Sequence, residues 1–336
     1  MFEIFTNIEN VNLVLVAQMK EHGRPHVVVT GGAGYIGSVL VPLLLDDGYR
    51  VTVLDLFPRG ANSLLGSLGR GVPGSLRLLK GDVRDPKAVD DAIGHESPAA
   101  IVHLAAIVGY PACERDPEQA WEINAEATSQ LAARGHRMIY ACTGSCYGAV
   151  PGGLCTEATP VSPLTDYGRS KAEGERAVLA AGGVSLRLAT VFGLSPRLRF
   201  DLLVNDLTQR ALKTGLLELY EPEFRRTFVH ARDAARAFLM AIRHYDEMKG
   251  QAFNVGDENL NVSKRELAEK ISGIVPCRIT LRSDGTDLDK RNYAVSYAKL
   301  RALGYRAVVS LEDGIRELAI TCPLLPSSDI EAARNV

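Results

Sequence analysis

A tyrosine and a lysine four residues apart, in Tyr167-Gly168-Arg169-Ser170-Lys171, are the first residues in this chain that suggest chemistry. On a helix the two side chains share one face. A free phenol ionises near pH ~10 and is a poor base at neutrality. A positive charge nearby favours the phenolate, so the pair suits a general base that takes a proton from an alcohol. A second source of hydroxyls lies upstream, in Ala141-Cys142-Thr143-Gly144-Ser145-Cys146-Tyr147-Gly148. There Thr143 or Ser145 is placed to hydrogen-bond a substrate oxygen. Taken singly these are common patterns, a surface pair and a Ser/Thr-rich turn. Position raises them above that, because the pair follows a fifth strand and the hydroxyl stands at that strand's end.

Such a base needs an oxidant. Thr30-Gly31-Gly32-Ala33-Gly34-Tyr35-Ile36-Gly37 follows the β-branched run His26–Thr30 directly and opens a helical stretch. Glycines there permit a tight turn and let backbone N–H groups approach a pyrophosphate at the helix start. Asp55 ends the next strand, where a carboxylate accepts from both ribose hydroxyls and repels a 2′-phosphate. NAD is therefore expected rather than NADP, with Arg59 nearby as a charge of the opposite tendency. Asp82 and Val83, after the third strand, are candidates for the adenine amino group and its packing.

These residues must be held by alternating strands and helices, which implies a doubly wound α/β fold of Rossmann type. Strands are expected at His26–Thr30, Tyr49–Leu54, Leu76–Lys80, Ala100–Leu104, Met138–Cys142 and Ser185–Ala189, and helices at Tyr35–Asp46, Pro117–Arg134 and Tyr167–Ala180. Beyond residue 190 the pattern turns irregular, as in a smaller mixed domain covering one end of the sheet. Phe228–Arg243 and Gln251–Val255 are expected to return to the main sheet. The expected division is an extension over 1–24, a dinucleotide-binding domain over 25–190, and a mainly substrate-binding domain over 191–336 that lends 228–256 back to the sheet.

Composition narrows the partners. The 336 residues carry 38 Lys+Arg against 40 Asp+Glu, a formal charge of -2, which gives no reason to expect nucleic acid or an anionic membrane. No apolar run approaches the ~20 residues of a membrane helix. The six cysteines (Cys113, Cys142, Cys146, Cys155, Cys277, Cys322) have no metal-site spacing, so no metal is expected. They read as reduced, mostly buried thiols of a cytoplasmic protein. The weakly apolar start, with Glu3 and Glu9, is a poor signal peptide.

Together, TGGAGYIG, Asp55, GDVRD (81–85), HLAA (103–106), Asn124, Thr143, YGRSK and RRTFVHARD (225–233) resemble, in order, the extended short-chain dehydrogenases, and among them the sugar-nucleotide epimerases and dehydratases. The resemblance runs from Pro25 to Leu318. It implies Tyr167 as base, Lys171 as its partner and Thr143 as the assisting hydroxyl. It also implies NAD contacts from Gly31, Gly34, Tyr35, Ile36, Gly37, Asp55, Asp82, Val83, Leu104, Ala105, Ala106 and Asn124. Arg226 stands where the family clamps a substrate diphosphate, a task suited to a forked guanidinium.

The 4,6-dehydratases carry an Asp-Glu pair after the threonine; here those positions are Gly144 and Ser145. The expected reaction is therefore epimerisation at C4 of a nucleotide-diphosphate sugar through a 4-keto intermediate. Hexose epimerases have an asparagine where this chain has Thr190, and an arginine near Thr286, with Lys290 and Arg291 close by. Four stretches (187–206, 223–233, 246–256, 287–300) resemble the enzymes of nucleotide-activated manno-heptoses, in particular a 4-dehydrogenase. Ser145, Thr190, Arg197, Arg199, Asn205 and Arg291 join Arg226 as candidate substrate contacts. The family resemblance further implies a homodimer paired through the helices near 117–134 and 167–180. A non-catalytic NAD sensor, or a dehydrogenase of a small alcohol, is the competing reading; the intact Tyr167/Lys171 pair speaks against the first and the long arginine-bearing segment against the second.

Overall fold

The computed structural model describes residues 23–150, 153–282 and 292–335. The expected extension, and with it Thr286, Lys290 and Arg291, falls outside those residues, apart from Gly23 and Arg24.

In chain order the first strands are β1 (His26–Thr30), β2 (Arg50–Asp55), β3 (Leu76–Lys80), β4 (Ala100–His103), β5 (Met138–Thr143), β6 (Leu154–Cys155), β7 (Val184–Leu188), β8 (Thr190–Phe192), β9 (Leu216–Tyr220), β10 (Arg225–His230) and β11 (Ala252–Val255). Seven of them form one parallel sheet in the order β11-β7-β5-β4-β1-β2-β3. Both faces are covered, so β1 reads as a continuous apolar run rather than an alternating one. Val27 and Val29 pack with the helices Gly37–Asp46 and Ala231–Arg243, while Val28 faces the opposite layer with Val89, Leu131 and Val178.

The strand expectations hold to within a residue at each end. β7 and β11 complete the sheet, the latter lying where Gln251–Val255 was expected. Phe228–His230 does otherwise: it belongs to β10, which pairs in parallel with β8 and antiparallel with β12 (Asn261–Ser263) in a separate small sheet. Only from Ala231 does that stretch become the helix that packs on Gly37–Asp46. A run of aromatic and β-branched residues followed by an alanine-rich amphipathic one is a strand and then a helix, and a single period does not fit both.

The second lobe adds β13 (Arg278–Arg282), parallel to β9, and β14 (Ala294–Val295), parallel to β6. Its own core gathers Phe192, Phe200, Phe228, Leu207, Leu267, Leu311 and Leu318 around the helices Leu203–Thr214, Lys264–Ser272 and Leu311–Thr321.

The expected single helix over Pro117–Arg134 is instead three pieces: Pro117–Trp121, a wide π-turn at Glu122–Glu126, and Ala127–Ala132. The wide turn leaves the Asn124 carbonyl to accept from the Thr128 hydroxyl at 2.8 Å and the Tyr140 hydroxyl at 3.4 Å. The Asn124 side chain meanwhile bonds the Ile107 backbone and the Ser170 hydroxyl. Such single-turn bulges often mark a place where local geometry serves a site.

Candidate active site

The chain runs outward from β1 to β2 and β3, then returns to the other side of β1 with β4. Where the strand order reverses, the carboxyl ends of neighbouring strands part, and ligands bind there in open α/β sheets. A cleft of about 670 Å³ opens at this point. On its floor Gly31 has φ +69°, and a Cβ there would lie 2.6 Å from the Ala105 nitrogen. Only a bare backbone lets the β1 and β4 turns come this close. Gly34, Tyr35, Ile36 and Gly37 continue the floor into the helix Gly37–Asp46, whose start no side chain caps. An uncapped helix N-terminus is an anion site in the making.

Asp55 closes the edge of β2. Its Oδ2 accepts from the Ala33 N–H at 3.0 Å and its Oδ1 from the Phe57 N–H at 2.8 Å. Each oxygen therefore keeps acceptor capacity toward the cleft it lines. Asp82 and Val83 line the same end; Asp82 is gripped by Arg84, whose guanidinium holds its carboxyl below the usual range. Leu104, Ala105 and Ala106 form the opposite wall.

The chemical groups stand at the other end of the cleft, on β5, the turn after it, and the helix Asp166–Ala180. Thr165 caps that helix, accepting from the Gly168 N–H at 3.1 Å. A buried ion pair ties it to the sheet: Arg187 of β7 meets Glu175 at 2.6 Å, and Ser185 donates to the same carboxylate at 2.6 Å. At Gly174 a Cβ would lie 2.6 Å from both the Asn124 carbonyl oxygen and the Tyr140 hydroxyl. The helix thus sits hard against the π-turn and β5, and its face is fixed.

That face presents Tyr167 and Lys171 to the cleft together with Thr143 and Ser145. The Thr143 hydroxyl bonds the Tyr167 phenol, accepts from the Ser145 N–H at 3.1 Å and reaches the Ser145 hydroxyl at 3.1 Å. Lys171 is buried, its Nζ 4.0 Å above the centre of the Tyr140 ring. Burial pushes the Tyr167 phenol up to about 12 and the Lys171 amine down to about 8. Both shifts have one origin: a dry pocket resists whichever form is charged. Lys171 loses its proton first, so in the protein alone it is no cation by the time the phenol would ionise.

Across the cleft, Thr190, Arg197 and Arg199 form the wall contributed by the segment after β7. Arg199 is ion-paired with Asp201, both largely buried. Arg197 donates to the Leu198 carbonyl and, at 2.8 Å, to the Asn335 side chain. Its guanidinium is brought down to about 10 by burial, with the charges of Arg59 and Arg199 acting in the same sense.

Three expected contacts stand elsewhere. Asn124 is fully buried behind the wall: its Oδ1 accepts from the Ile107 N–H at 2.9 Å, and its Nδ2 donates to the Ile107 carbonyl at 2.9 Å and the Ser170 hydroxyl at 3.1 Å. Asn205 is buried too. Its amide accepts from the Gly193 N–H at 2.9 Å and donates to the Tyr35 hydroxyl and the Arg199 carbonyl. A buried amide does need partners, and in both cases the protein's own backbone and one hydroxyl, of Ser170 or of Tyr35, supply them. Arg226 is buried in β10, donates to the Arg225 carbonyl, and is not among the residues that line the cleft. Arg291 lies outside the described residues.

The cleft also recruits Cys142, Gln119 and Asn335. Cys142 sits in the strand whose last residue is Thr143, and strand position alone could have found it. Nothing local marks Asn335, whose partner Arg197 is 138 residues away. Among the described residues none of the six cysteines is paired, five being buried and Cys277 half-buried.

Comparison with known proteins agrees with this geometry. The sequence profile of the NAD dependent epimerase/dehydratase family matches residues 27–256. A probable UDP-arabinose 4-epimerase of Arabidopsis thaliana is 31% identical over 257 residues, 70% of this chain but only 57% of that protein. The UDP-glucose 4-epimerase of Streptomyces lividans is 28% identical over 73% of this chain and 79% of its own length. Among solved structures, the Thermus thermophilus UDP-glucose 4-epimerase in complex with NAD superimposes with a TM-score of 0.74 at 27% identity, covering 89% of this chain and 99% of that one. A profile match over more than half the chain, on a cleft built at the sheet's reversal point, identifies it as a member of the NAD dependent epimerase/dehydratase family.

Proposed function

We propose that this chain inverts C4 of a nucleotide-diphosphate sugar by oxidising it to a 4-keto sugar and reducing it again. The observation that carries this is the convergence of Thr143, Tyr167 and Lys171 at one end of a cleft whose other end holds the glycine turn and Asp55. When bound, NAD supplies the hydride acceptor and, in its oxidised form, a positive charge. The Tyr167 Oη takes the proton from the sugar 4-hydroxyl, and the Thr143 hydroxyl, already bonded to that phenol, shares the oxygen's hydrogen bond. On the return step Tyr167 gives the proton back. Gly144 and Ser145 offer neither the acid nor the base that elimination of water requires, which favours epimerisation over dehydration.

The sugar we propose is a nucleotide-activated manno-heptose. Its support is the four stretches after residue 186 that resemble enzymes of that class, one of them a 4-dehydrogenase that would release the keto sugar. The two relatives above are named for UDP-arabinose and UDP-glucose, so those sugars belong in any substrate panel. We also propose a cytoplasmic homodimer paired through Pro117–Trp121, Ala127–Ala132 and Asp166–Ala180. Trp121, 42% exposed, with Val161 and Leu164 nearby in sequence to the latter helix, supplies apolar surface for it.

Replacement of Tyr167 by Phe tests the mechanism. Loss of an acid/base group costs about 10²–10⁴-fold in turnover, while NAD affinity measured by calorimetry stays within a few-fold. Retained turnover would exclude Tyr167 as the base.

A further inference from the structure

One segment bridges the two banks of the cleft. The helix Ser327–Ala332 and the residues after it come off the second lobe, where Ala333 is buried in the core with Ile330 packed beside it. The Phe200 N–H donates to the Ala333 carbonyl at 3.1 Å, the Asn335 N–H bonds the Asp201 carboxylate, and Arg334 pairs with Asp206 at 2.9 Å. Arg197, on the same bank, holds the Asn335 side chain. The opposite bank reaches over as well: Arg59, four residues past Asp55, donates to the Arg334 carbonyl at 2.8 Å, and Arg115, after β4, donates to the Asn335 carbonyl at 3.2 Å. Asn335 itself lines the cleft.

We propose that residues 334 and 335 are a strap across the dinucleotide cleft that must release for NAD to enter or leave. This rests on the family assignment and not on the identity of the sugar. Two features support it. The fasteners join a loop of the sheet lobe to a loop of the second lobe, so the strap crosses the opening rather than following one rim. The acceptors offered to Arg59, Arg115 and Arg197 are uncharged amide and carbonyl oxygens, so the guanidinium charges are not neutralised. Arg59 and Arg199 lie close enough for their charges to act on Arg197, with Asp201 as the opposing carboxylate. Such a cluster keeps its attraction for a diphosphate while the strap is closed, and the strap is fastened to the sheet lobe by bonds to backbone carbonyls rather than by an ion pair.

The test is cofactor exchange. Protein loaded with fluorescent etheno-NAD is mixed with excess NAD, and the rate of probe release is followed. Two variants are compared with the intact chain: one stopped after Ala333, which keeps the core residue, and Arg115→Ala, which alters a residue outside the cleft lining. Each severed hydrogen bond changes a rate by a few-fold, so release is expected to speed up about tenfold or more in the shortened chain and about two- to fivefold in Arg115→Ala. Release from the shortened chain within twofold of the intact rate overturns the proposal. So does acceleration in the shortened chain alone, which would place the effect in the second core rather than in the strap.

Discussion

At the scale of single residues, the chemistry we propose depends on a phenol that the fold makes less acidic. Residue types alone suggest that Lys171 lowers the ionisation of Tyr167; the structure assigns the dominant effect to burial, which raises the phenol to about 12 and lowers the amine to about 8. The base therefore has to be made by a charge that arrives with the ligand. A unit positive charge in close contact, at an effective dielectric of ~20, is worth about 4 kcal/mol, or about three pKa units. We expect a tyrosinate titration near pH ~9 in the complex with oxidised NAD, from these same estimates, and none below about 11 in the reduced complex, whose nicotinamide is neutral. Turnover should accordingly rise with pH through that titration, because the phenolate is the active form of the first step. Ultraviolet difference titration of the two complexes decides it: equal titrations would remove the cofactor's charge from the account.

At the scale of elements, the site depends on how the helix Asp166–Ala180 is seated. Asn124 is the pin: it joins the backbone of Ile107, which lines the cleft, to Ser170, the residue before Lys171. Asn124→Ala leaves the half-buried Ile107 N–H and carbonyl without their partner, and each such orphan costs about 1–2 kcal/mol, the lower part of the range for buried groups. Denaturant unfolding should show a loss of about 2–4 kcal/mol on that basis, accompanied by a fall in kcat larger than any rise in KM. A loss under ~0.5 kcal/mol, the usual size for a surface change, would mean the pin carries no weight. The family resemblance marked Asn124 as an NAD contact, whereas its side chain bonds Ile107 and Ser170 behind the cleft wall. An amide inside a helical stretch looks the same whether it meets a ligand or a loop, and the π-turn that aims it leaves no local signature. Asn205 shows the same ambiguity: its need for a partner was legible, but its partners come from two segments, Tyr35 in the glycine turn and Gly193 and Arg199 in the loop after β8.

At the scale of the whole molecule, the parallel sheet and the glycine turn were legible because strongly periodic, β-branched strands ended by small residues leave little choice of fold. The strands of the second lobe were not, since short pairings such as β9 with β13 join segments some sixty residues apart and carry no local period. The closing of the cleft by Arg334 and Asn335 was invisible for the same reason. What the assembled molecule offers is one cleft lined by the glycine turn, by Tyr167, Lys171 and Thr143, and by Arg197 and Arg199, and the proposed keto sugar would be held and reduced again there. Incubation of the purified protein with ADP- and GDP-manno-heptoses, UDP-arabinose and UDP-glucose, followed by mass and NMR analysis of the products, tests that claim most directly. An isomer of unchanged mass inverted at C4, with no net change in NAD, is the predicted result; a released product lighter by two hydrogens, with NADH accumulating, would contradict it.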